Sequence, residues 1–184
     1  MGEDKALKPF LGRPLIQRVM DRLSPIADEI IVTTNRPDDY SFLNLRLVSD
    51  LKPDRGALGG LYTAIASAAH PIVAVVACDM PFASPKLIAT MSKLLVEKEA
   101  DVVIIKSEHG YEPLHAVYRR ETCLPAIESA IGADKWKVVA WFPQVKVYEL
   151  TADEVRRYEP SGLAFWNVNT PEEFVEAERI ATSQ

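Results

Sequence analysis

Short runs of β-branched residues alternate with longer helical segments along the chain, and this alternation limits the folds that it can adopt. Four segments have the composition of buried strands: residues 29–34, 45–49, 72–77 and 101–106. Three segments have helical patterns: residues 14–23 before the first strand, and residues 61–69 and 84–99 between later strands. Parallel strands need crossovers of this kind, so the pattern predicts an α/β fold with a mostly parallel, buried sheet.

The second half of the chain follows a different pattern. It predicts seven elements: a hairpin turn at 109–110, a strand over 112–120, a helix over 121–131, a short helix over 136–141, a strand over 145–150, a helical turn over 152–157 and a strand over 164–168. Thr170, followed by Pro171 and Glu173, predicts a capped final helix. Because no repeat or linker interrupts these elements, we expect residues 1–184 to form a single domain.

The composition excludes several classes of protein. The 184 residues are 48% apolar and 26% charged, which is typical of a folded globular chain. A net charge of -5 does not suit a non-specific nucleic-acid binder, which needs a basic surface. No apolar run reaches the roughly 18 residues of a membrane span, and the first five residues lack the apolar core of a secretory signal. We therefore expect a cytoplasmic protein that binds neither nucleic acid nor membrane.

The cysteines and histidines form no recognisable catalytic or metal-binding pattern. Cys78 and Cys123 are the only cysteines and have no C-x-x-C spacing, so we expect reduced thiols, with Cys78 in the core. His115 lies in a predicted strand, where a core or edge position is more common than a catalytic one. The sequence predicts no Ser-His-Asp or Cys-His arrangement.

Polar groups follow several of the predicted strands. In an open α/β sheet, ligands bind beyond the carboxyl ends of the strands. Asn35, Asp50 and Asp79 each follow such a strand, and a glycine-rich loop over 56–60 leads into the next helix. This distribution predicts a polar ligand that crosses several loops.

The glycine-rich loop combines Arg55 with three of the eight glycines in the chain, Gly56, Gly59 and Gly60. A helix N-terminus offers free N–H groups and the positive end of a dipole, which suits phosphate. Gly59 and Gly60 would let a ligand approach the backbone closely. A plain turn and helix start is the alternative, and the spacing alone slightly favours it. The loop matches neither a Walker A sequence nor G-x-G-x-x-G.

Asp79 follows an apolar run and precedes Met80-Pro81. A carboxylate at the end of a buried strand must be hydrogen-bonded, paired or bound to a cation. One carboxylate together with substrate phosphates is the usual way in which proteins hold Mg²⁺. The alternative is an aspartate that caps the next loop. Lys5, close to the start of the chain, would on its own be a solvated surface residue.

Several motifs occur together along the chain. They are Met1-Gly2-x-Asp4-Lys5-Ala6-Leu7, Gly12-x-Pro14-Leu15-Ile16, Gly56-x-Leu58-Gly59-Gly60-Leu61, Cys78-Asp79-Met80-Pro81-Phe82, Glu112-Pro113-Leu114-x-Ala116-Val117-Tyr118 and Asn167-Val168-Asn169-Thr170-Pro171-Glu172-Glu173. In this order they resemble the molybdenum cofactor guanylyltransferases over nearly the whole chain. The first half resembles a wider group of nucleotidyltransferases, and the last motif favours the molybdopterin branch.

The resemblance implies a Rossmann-like, three-layer nucleotidyltransferase fold with a nucleotide-binding N-terminal part and a pterin-substrate C-terminal part. It implies that GMP passes from Mg²⁺-bound GTP to molybdopterin, or to its molybdenum-loaded form, and that pyrophosphate leaves. Because the attacking phosphate oxygen is ionised at neutral pH, this reaction needs no general base and rests on alignment and charge neutralisation. Molybdoenzymes or their chaperones are further candidate partners.

The resemblance also implies a role for each matching residue. Lys5 would contact the nucleotide phosphates, and Asp79 would contact both Mg²⁺ and GTP. Asn35 and Asp50 would contact the base and ribose side of GTP, and the nucleotide would pass close to Gly59 and Gly60. Asn167 and Asn169 would lie towards the pterin side. A related nucleotidyltransferase that uses CTP or a sugar phosphate is one alternative, and a non-catalytic nucleotide-binding module is another.

Two features depart from the family pattern. Ala57 stands where the family has a proline in its G-P-L-G-G loop. The family also places a strand and a Leu-Ala-Gly-Gly-x-Ser-x-Arg loop just before Met-Gly-x-Asp-Lys, whereas this sequence starts at Met1-Gly2. We therefore expect that a strand and a phosphate loop belong upstream of Met1, and that the polypeptide without them binds GTP poorly.

Overall fold

The computed structural model describes residues 4–107 and 110–183. Residues 1–3 of the first motif and residue 109 of the predicted hairpin turn lie outside these ranges. The helices are Leu15–Leu23 (α1), Gly56–Ser67 (α2), Pro85–Glu97 (α3), Arg120–Gly132 (α4), Ala152–Tyr158 (α5) and Pro171–Thr182 (α6). The strands are Pro9–Phe10 (β1), Arg13–Pro14 (β2), Ile31–Thr33 (β3), Arg46–Val48 (β4), Ile72–Val76 (β5), Val102–Ser107 (β6), Gly110–Tyr111 (β7), His115–Arg119 (β8) and Val147–Leu150 (β9).

The main sheet contains β5, β8, β6, β9 and the short β7. β8 lies between β5 and β6 and is antiparallel to both, whereas β9 pairs with β6 in parallel. β5, β6 and β9 therefore run in the same direction. The predicted α/β class is confirmed, with a mixed sheet in which β8 is reversed. Helix α2 packs on α4, and α3 packs on α5.

A second sheet consists of β3 and β4, which pair in parallel with Thr33 opposite Val48. In the described ranges β3 and β5 are not hydrogen-bonded to each other. Residues of both strands instead line one cavity of about 850 Å³, whose other walls come from α1, α2 and α3. Ala74 of β5 is exposed, although the sequence predicts a buried strand. Cys78, which we expected in the core, is also exposed on this cavity.

Three predicted elements differ from the structure. The helix expected at 61–69 begins five residues earlier, at Gly56, so the glycine-rich segment is helical. Residues 136–141 form turns instead of a helix, and only a 3₁₀ turn, Phe142–Gln144, follows them. The strand predicted at 164–168 is wrong, because this segment joins no sheet in the described chain. Its backbone bond to the rest of the site runs from Val168 N–H to the Asp79 carbonyl, at 3.0 Å.

The end of the chain folds back onto its beginning. Phe174 of α6 contacts Phe10 edge-on, with ring centroids 5.4 Å apart, and Trp166 stacks on Phe82 at 5.9 Å. Thr170 caps α6 in the predicted capping box. These contacts place residues 167–169 next to the carboxyl end of β5. No described helix is long and apolar enough to cross a bilayer.

His115 is completely buried in β8, and neither of its ring nitrogens has a hydrogen-bond partner among the described residues. Its ring packs edge-on against Phe165, with centroids 4.9 Å apart. Burial lowers the pKa of His115 from 6.5 to about 4. The ring is therefore neutral in the folded protein at ordinary pH, which suits a core position and not the role of a base.

Acid should destabilise the protein through His115. The unfolded side chain takes a proton near pH 6.5 and the folded one only near pH 4, so the unfolded state binds more protons between these values. The free energy of unfolding is then highest above pH 6.5 and falls by about 3 kcal/mol towards pH 4. Urea titrations across this window measure the loss, and His115→Phe should remove it. An unchanged pH slope in the variant would contradict this assignment.

Candidate functional site

The centre of the site is Asp79, which directly follows the apolar strand β5. Burial raises the pKa of its carboxyl group, and the nearby charge of Lys5 opposes that rise. The Asp79 carbonyl accepts the backbone N–H of Val168 at 3.0 Å. Asp79 is therefore a partly desolvated carboxyl group with a lysine close by. A bound cation would stabilise the charged form of such a carboxylate.

Lys5 reaches the same place from the start of the chain. Its Nζ donates to Oδ1 of Asn169 at 2.7 Å. The Asn169 backbone N–H donates to Glu173 Oε2 at 2.7 Å, at the N-terminus of α6. The structure thus brings together four of the predicted residues: Lys5, Asp79, Asn167 and Asn169. They come from three separate parts of the sequence.

Asn167 adds an unused acceptor to this group. Its side-chain oxygen is buried and has no hydrogen-bond partner among the described residues. Leaving a buried polar atom unpaired costs about 1–3 kcal/mol. A donor on a bound ligand would satisfy this atom, so Asn167 fits a substrate-binding role.

Lys5 is held in place by its neighbour Asp4. The Asp4 carboxylate accepts the backbone N–H of Ala6 at 3.1 Å, the hydroxyl of Tyr40 at 2.7 Å and the guanidinium of Arg36. Burial alone would raise the pKa of Asp4, but the bonds from Tyr40 and Arg36 outweigh it and lower that pKa. Asp4 thereby fastens the start of the chain to the loop that follows β3.

Asn35 and Asp50 form a separate reciprocal pair at the ends of β3 and β4. Asn35 Nδ2 donates to Asp50 Oδ2 at 2.9 Å, and the Asp50 backbone N–H donates to Asn35 Oδ1 at 2.9 Å. The adjacent Leu51 N–H donates to Thr63 on α2 at 3.0 Å. The polar groups that follow β3 and β4 therefore contact each other directly.

Gly59 and Gly60, which are neighbours in α2, have different surroundings. Gly59 is buried, and a Cβ on it would lie 2.6 Å from the Lys52 carbonyl oxygen and 2.9 Å from Arg55 Cβ. Packing within the chain therefore explains Gly59 without a ligand. Gly60 has no atom within 4 Å of its Cβ position and lines the same cavity as Asp79. Of these two glycines, Gly60 is the one that leaves room for a close approach to the backbone.

Arg55, the cation of the glycine-rich loop, is turned away from the strand ends. Its guanidinium pairs with Asp134 at 2.5 Å and lies 4.8 Å from the centroid of the Trp136 ring. These contacts join the start of α2 to the turn after α4. Arg55 therefore acts here as a structural residue.

A metal ion at this site would depend on Asp79. No group of three or more His, Cys, Asp or Glu side chains that could hold a metal occurs in the described ranges. A hard cation such as Mg²⁺ binds oxygen ligands and often takes one or two carboxylates together with substrate phosphates. The partly buried Asp79 carboxylate fits a metal brought in with a nucleotide, and does not fit a metal held by protein ligands alone.

Comparisons with known proteins identify the family of this chain. Residues 1–146 match the model of the MobA-like NTP transferase domain. This chain belongs to the MobA-like NTP transferase family. A molybdenum cofactor guanylyltransferase from Desulfosudis oleivorans is 34% identical over 96% of this chain and 87% of its own length. A probable molybdenum cofactor guanylyltransferase from Pelotomaculum thermopropionicum is also 34% identical, over 98% of this chain and 87% of its own length.

Solved structures show the MobA-like fold independently. Molybdopterin-guanine dinucleotide biosynthesis protein A from Archaeoglobus fulgidus superposes with a TM-score of 0.84 at 24% identity, over all of this chain and 93% of its own. A 4-diphosphocytidyl-2C-methyl-D-erythritol synthase from Anaerococcus prevotii reaches 0.71 at 15% identity, over 98% of this chain and 94% of its own. The predicted nucleotidyltransferase fold is confirmed.

Sequence reasoning missed two members of the site, Arg36 and Tyr40. They lie between β3 and β4, where the sequence predicts neither a helix nor a strand and the structure has the 3₁₀ turn Pro37–Leu43. Asp4 was visible inside the Asp4-Lys5 motif, but nothing in the sequence indicated its partners. The one sequence signal that pointed to these partners is their position just after Asn35, a predicted site residue.

Two neighbouring glycines offer a matched pair of substitutions. Gly59→Ala forces a backbone carbonyl to move and should lower the free energy of unfolding by about 1–3 kcal/mol. Gly60→Ala meets open space and should be neutral or stabilising by up to about 1 kcal/mol, because alanine favours helix. Urea denaturation of both variants measures the difference, and equal effects would contradict the packing described for Gly59.

The Asp4 anchor can be tested with a double-mutant cycle. Asp4→Asn and Tyr40→Phe each remove part of the same hydrogen bond, so their combined effect should be smaller than the sum by about 1–2 kcal/mol. The free energies of unfolding of the wild type, both single variants and the double variant give this coupling. Additive effects would show that Tyr40 does not hold Asp4.

Proposed function

We propose that this chain transfers GMP from GTP to molybdopterin, or to molybdenum-loaded molybdopterin, and releases pyrophosphate. The observation that carries the proposal is the convergence of Lys5, Asp79 and Asn169 at one strand end, with Lys5 bonded to Asn169. The names of the relatives indicate the substrates, and family membership indicates the reaction class.

Lys5 and Asp79 would serve the phosphates. The phosphate oxygen of the pterin substrate attacks the α-phosphorus of GTP, a new P–O bond forms, and the bond to the β-phosphate breaks. Negative charge then builds up on the leaving pyrophosphate. The Lys5 ammonium would neutralise part of it, and Asp79 would hold the Mg²⁺ that neutralises the remainder. Lys5 would exchange its bond to Asn169 for a phosphate oxygen.

The other predicted residues would select and position the two substrates. Asn35 and Asp50 would contact the base and ribose side of GTP, beside Gly60 and close to Gly59 on α2. Asn167 and Asn169 would contact the pterin substrate on the other side of Asp79. Transfer between two phosphorylated substrates held in this way needs alignment and no proton-abstracting base.

Three expectations extend this proposal. Molybdoenzymes or their chaperones would receive the product, the protein would act in the cytoplasm, and one domain would carry both substrate sites. The CTP and sugar-phosphate alternatives are less well supported, because the guanylyltransferase relatives are far more similar in sequence than the cytidylyl synthase neighbour.

Nucleotide choice and Asp79 together test the proposal. With molybdopterin and Mg²⁺, the wild-type protein should release pyrophosphate from GTP and form the guanine dinucleotide, with little product from CTP, UTP or ATP. Asp79→Asn should lower turnover by at least about a hundredfold, because it removes a group that neutralises charge through the metal. A coupled pyrophosphate assay and mass spectrometry of the product measure both effects.

Asp153→Asn is the matched control. Asp153 is an exposed residue of α5 that pairs only with Arg156 of the same helix in the described contacts, so its variant should retain full turnover. A dinucleotide made from CTP and not from GTP would contradict the assigned substrate. Stabilisation by Mg²⁺-GTP without any pyrophosphate release would favour the non-catalytic nucleotide-binding module.

A further inference from the structure

A second, smaller cavity lies between the β1–β2 hairpin and α1, on a different face of α1 from the cavity between the sheets. Its volume is about 300 Å³, which is at the lower end of the range for small-ligand sites. Six residues line it: Phe10, Leu11, Arg13, Arg18, Asp21 and Arg22. Three of the six are arginines, although the chain as a whole is acidic.

Arg18 is fixed in this cavity by contacts on three sides. Its Nε donates to the Pro81 carbonyl at 2.9 Å. Its guanidinium lies over the rings of Phe10 and Phe82, 5.2 and 5.6 Å from their centroids, where cation–π attraction holds it. These contacts use Nε and the two faces of the guanidinium. The Nη groups therefore remain available as donors to a ligand.

Arg22 is held in a similar way one turn further along α1. Its Nε donates to the Ala83 carbonyl at 2.8 Å. Burial lowers the pKa of Arg18, and the charge of Arg22 lowers it further, so the two guanidiniums lie close enough to repel each other. An anion bound between them would relieve this repulsion.

Neither of these two arginines has a carboxylate partner in residues 4–107 or 110–183. Asp21, the carboxylate among the lining residues, pairs with Arg13 at 2.8 Å. Just outside the lining, Glu178 accepts the backbone N–H of Leu11 at 2.7 Å. The cavity therefore keeps two unpaired positive charges while the acidic groups around it are engaged.

Glu159 is a further carboxylate near Arg22. Burial raises its pKa, but hydrogen bonds from Ser161 and Ser84 and the charge of Arg22 outweigh burial and lower it. Glu159 bonds to the hydroxyl of Ser161 and forms no ion pair with Arg22 in the described chain. The Nη groups of Arg22 are therefore free of a carboxylate, like those of Arg18.

Leu11 gives the cavity an apolar side. It lies at the turn of the β1–β2 hairpin with a φ of 49°, a left-handed conformation that is uncommon for leucine. Its side chain is 47% exposed, so packing within the chain does not explain why a leucine occupies this turn. An organic group bound in the cavity would cover it.

We propose that this cavity binds a phosphate monoester, with the phosphate on the Nη groups of Arg18 and Arg22 and the organic group against Leu11. A phosphate monoester carries nearly two negative charges at pH 7, which two guanidiniums neutralise. One guanidinium suffices for the two oxygens of a carboxylate, whereas two together offer donors to all three terminal oxygens of a phosphate. The site is separate from Lys5 and Asp79 and does not depend on the proposed reaction.

The test is an NMR titration of the isotope-labelled full chain with phenyl phosphate, which follows the backbone amides of Leu11, Arg18 and Arg22. These signals should shift and saturate together. Arg18→Gln and Arg22→Gln should each raise the Kd at least about tenfold, because each loses charge-assisted hydrogen bonds. The Arg22 variant keeps the test valid if the Arg18 variant does not fold.

Two matched variants locate the ligand. Arg156→Gln removes an exposed arginine of α5 that pairs with Asp153, and Lys5→Gln removes the cation of the strand-end site. Both should leave the Kd within about twofold of the wild-type value. A titration that Lys5→Gln abolishes and Arg22→Gln leaves intact would place the phosphate at the strand end and overturn the proposal.

Two matched ligands test the chemistry. Phenyl sulfate has nearly the same shape but one negative charge, and should bind at least about tenfold more weakly. Inorganic phosphate lacks the organic group and should bind at least about threefold more weakly. Equal affinity for phenyl sulfate would contradict the match of two charges, and equal affinity for inorganic phosphate would contradict the contact with Leu11. No shift at the three amides would overturn the site itself.

Discussion

The placement of a carboxyl group at the end of an apolar strand governs the rest of this structure. β5 is hydrophobic along its length, and the chain must turn where Asp79 follows it. Burial makes the charged form of Asp79 costly, as its raised pKa indicates. The charge of Lys5 offsets part of this cost, and a separate backbone bond joins the Asp79 carbonyl to the Val168 N–H. These contacts draw both ends of the sequence to one strand end, where a nucleotide and a second substrate could meet.

The local chemistry of capping was predictable from the sequence. Thr170 and Glu173 form the capping box that their spacing predicts, and Ser84 caps α3 through the N–H of Leu87. The meeting of Asn35 with Asp50 was also predictable, since it follows from the rule that strand ends gather at one edge of a sheet. In each case a short-range or topological rule determines the contact, and no distant packing is needed.

Contacts that depend on tertiary packing were not predictable. The segment over 164–168 has the composition of a strand, yet the stacking of Trp166 on Phe82 holds it outside the sheets. Gly59 resembled a ligand-binding glycine, but the approach of the Lys52 carbonyl explains it. Cys78 was expected in the core because its strand is apolar, but it is exposed on the cavity beside that strand.

The central claim is that the strand end around Asp79 binds the phosphates of a nucleotide through a metal and Lys5. A crystal structure with Mg²⁺ and a non-hydrolysable GTP analogue tests it most directly. The account predicts the metal on the Asp79 carboxylate, the Lys5 ammonium moved from Asn169 to a phosphate oxygen, and the guanosine on the side of Asn35 and Asp50. A triphosphate bound elsewhere, with the Lys5–Asn169 bond intact, would contradict it.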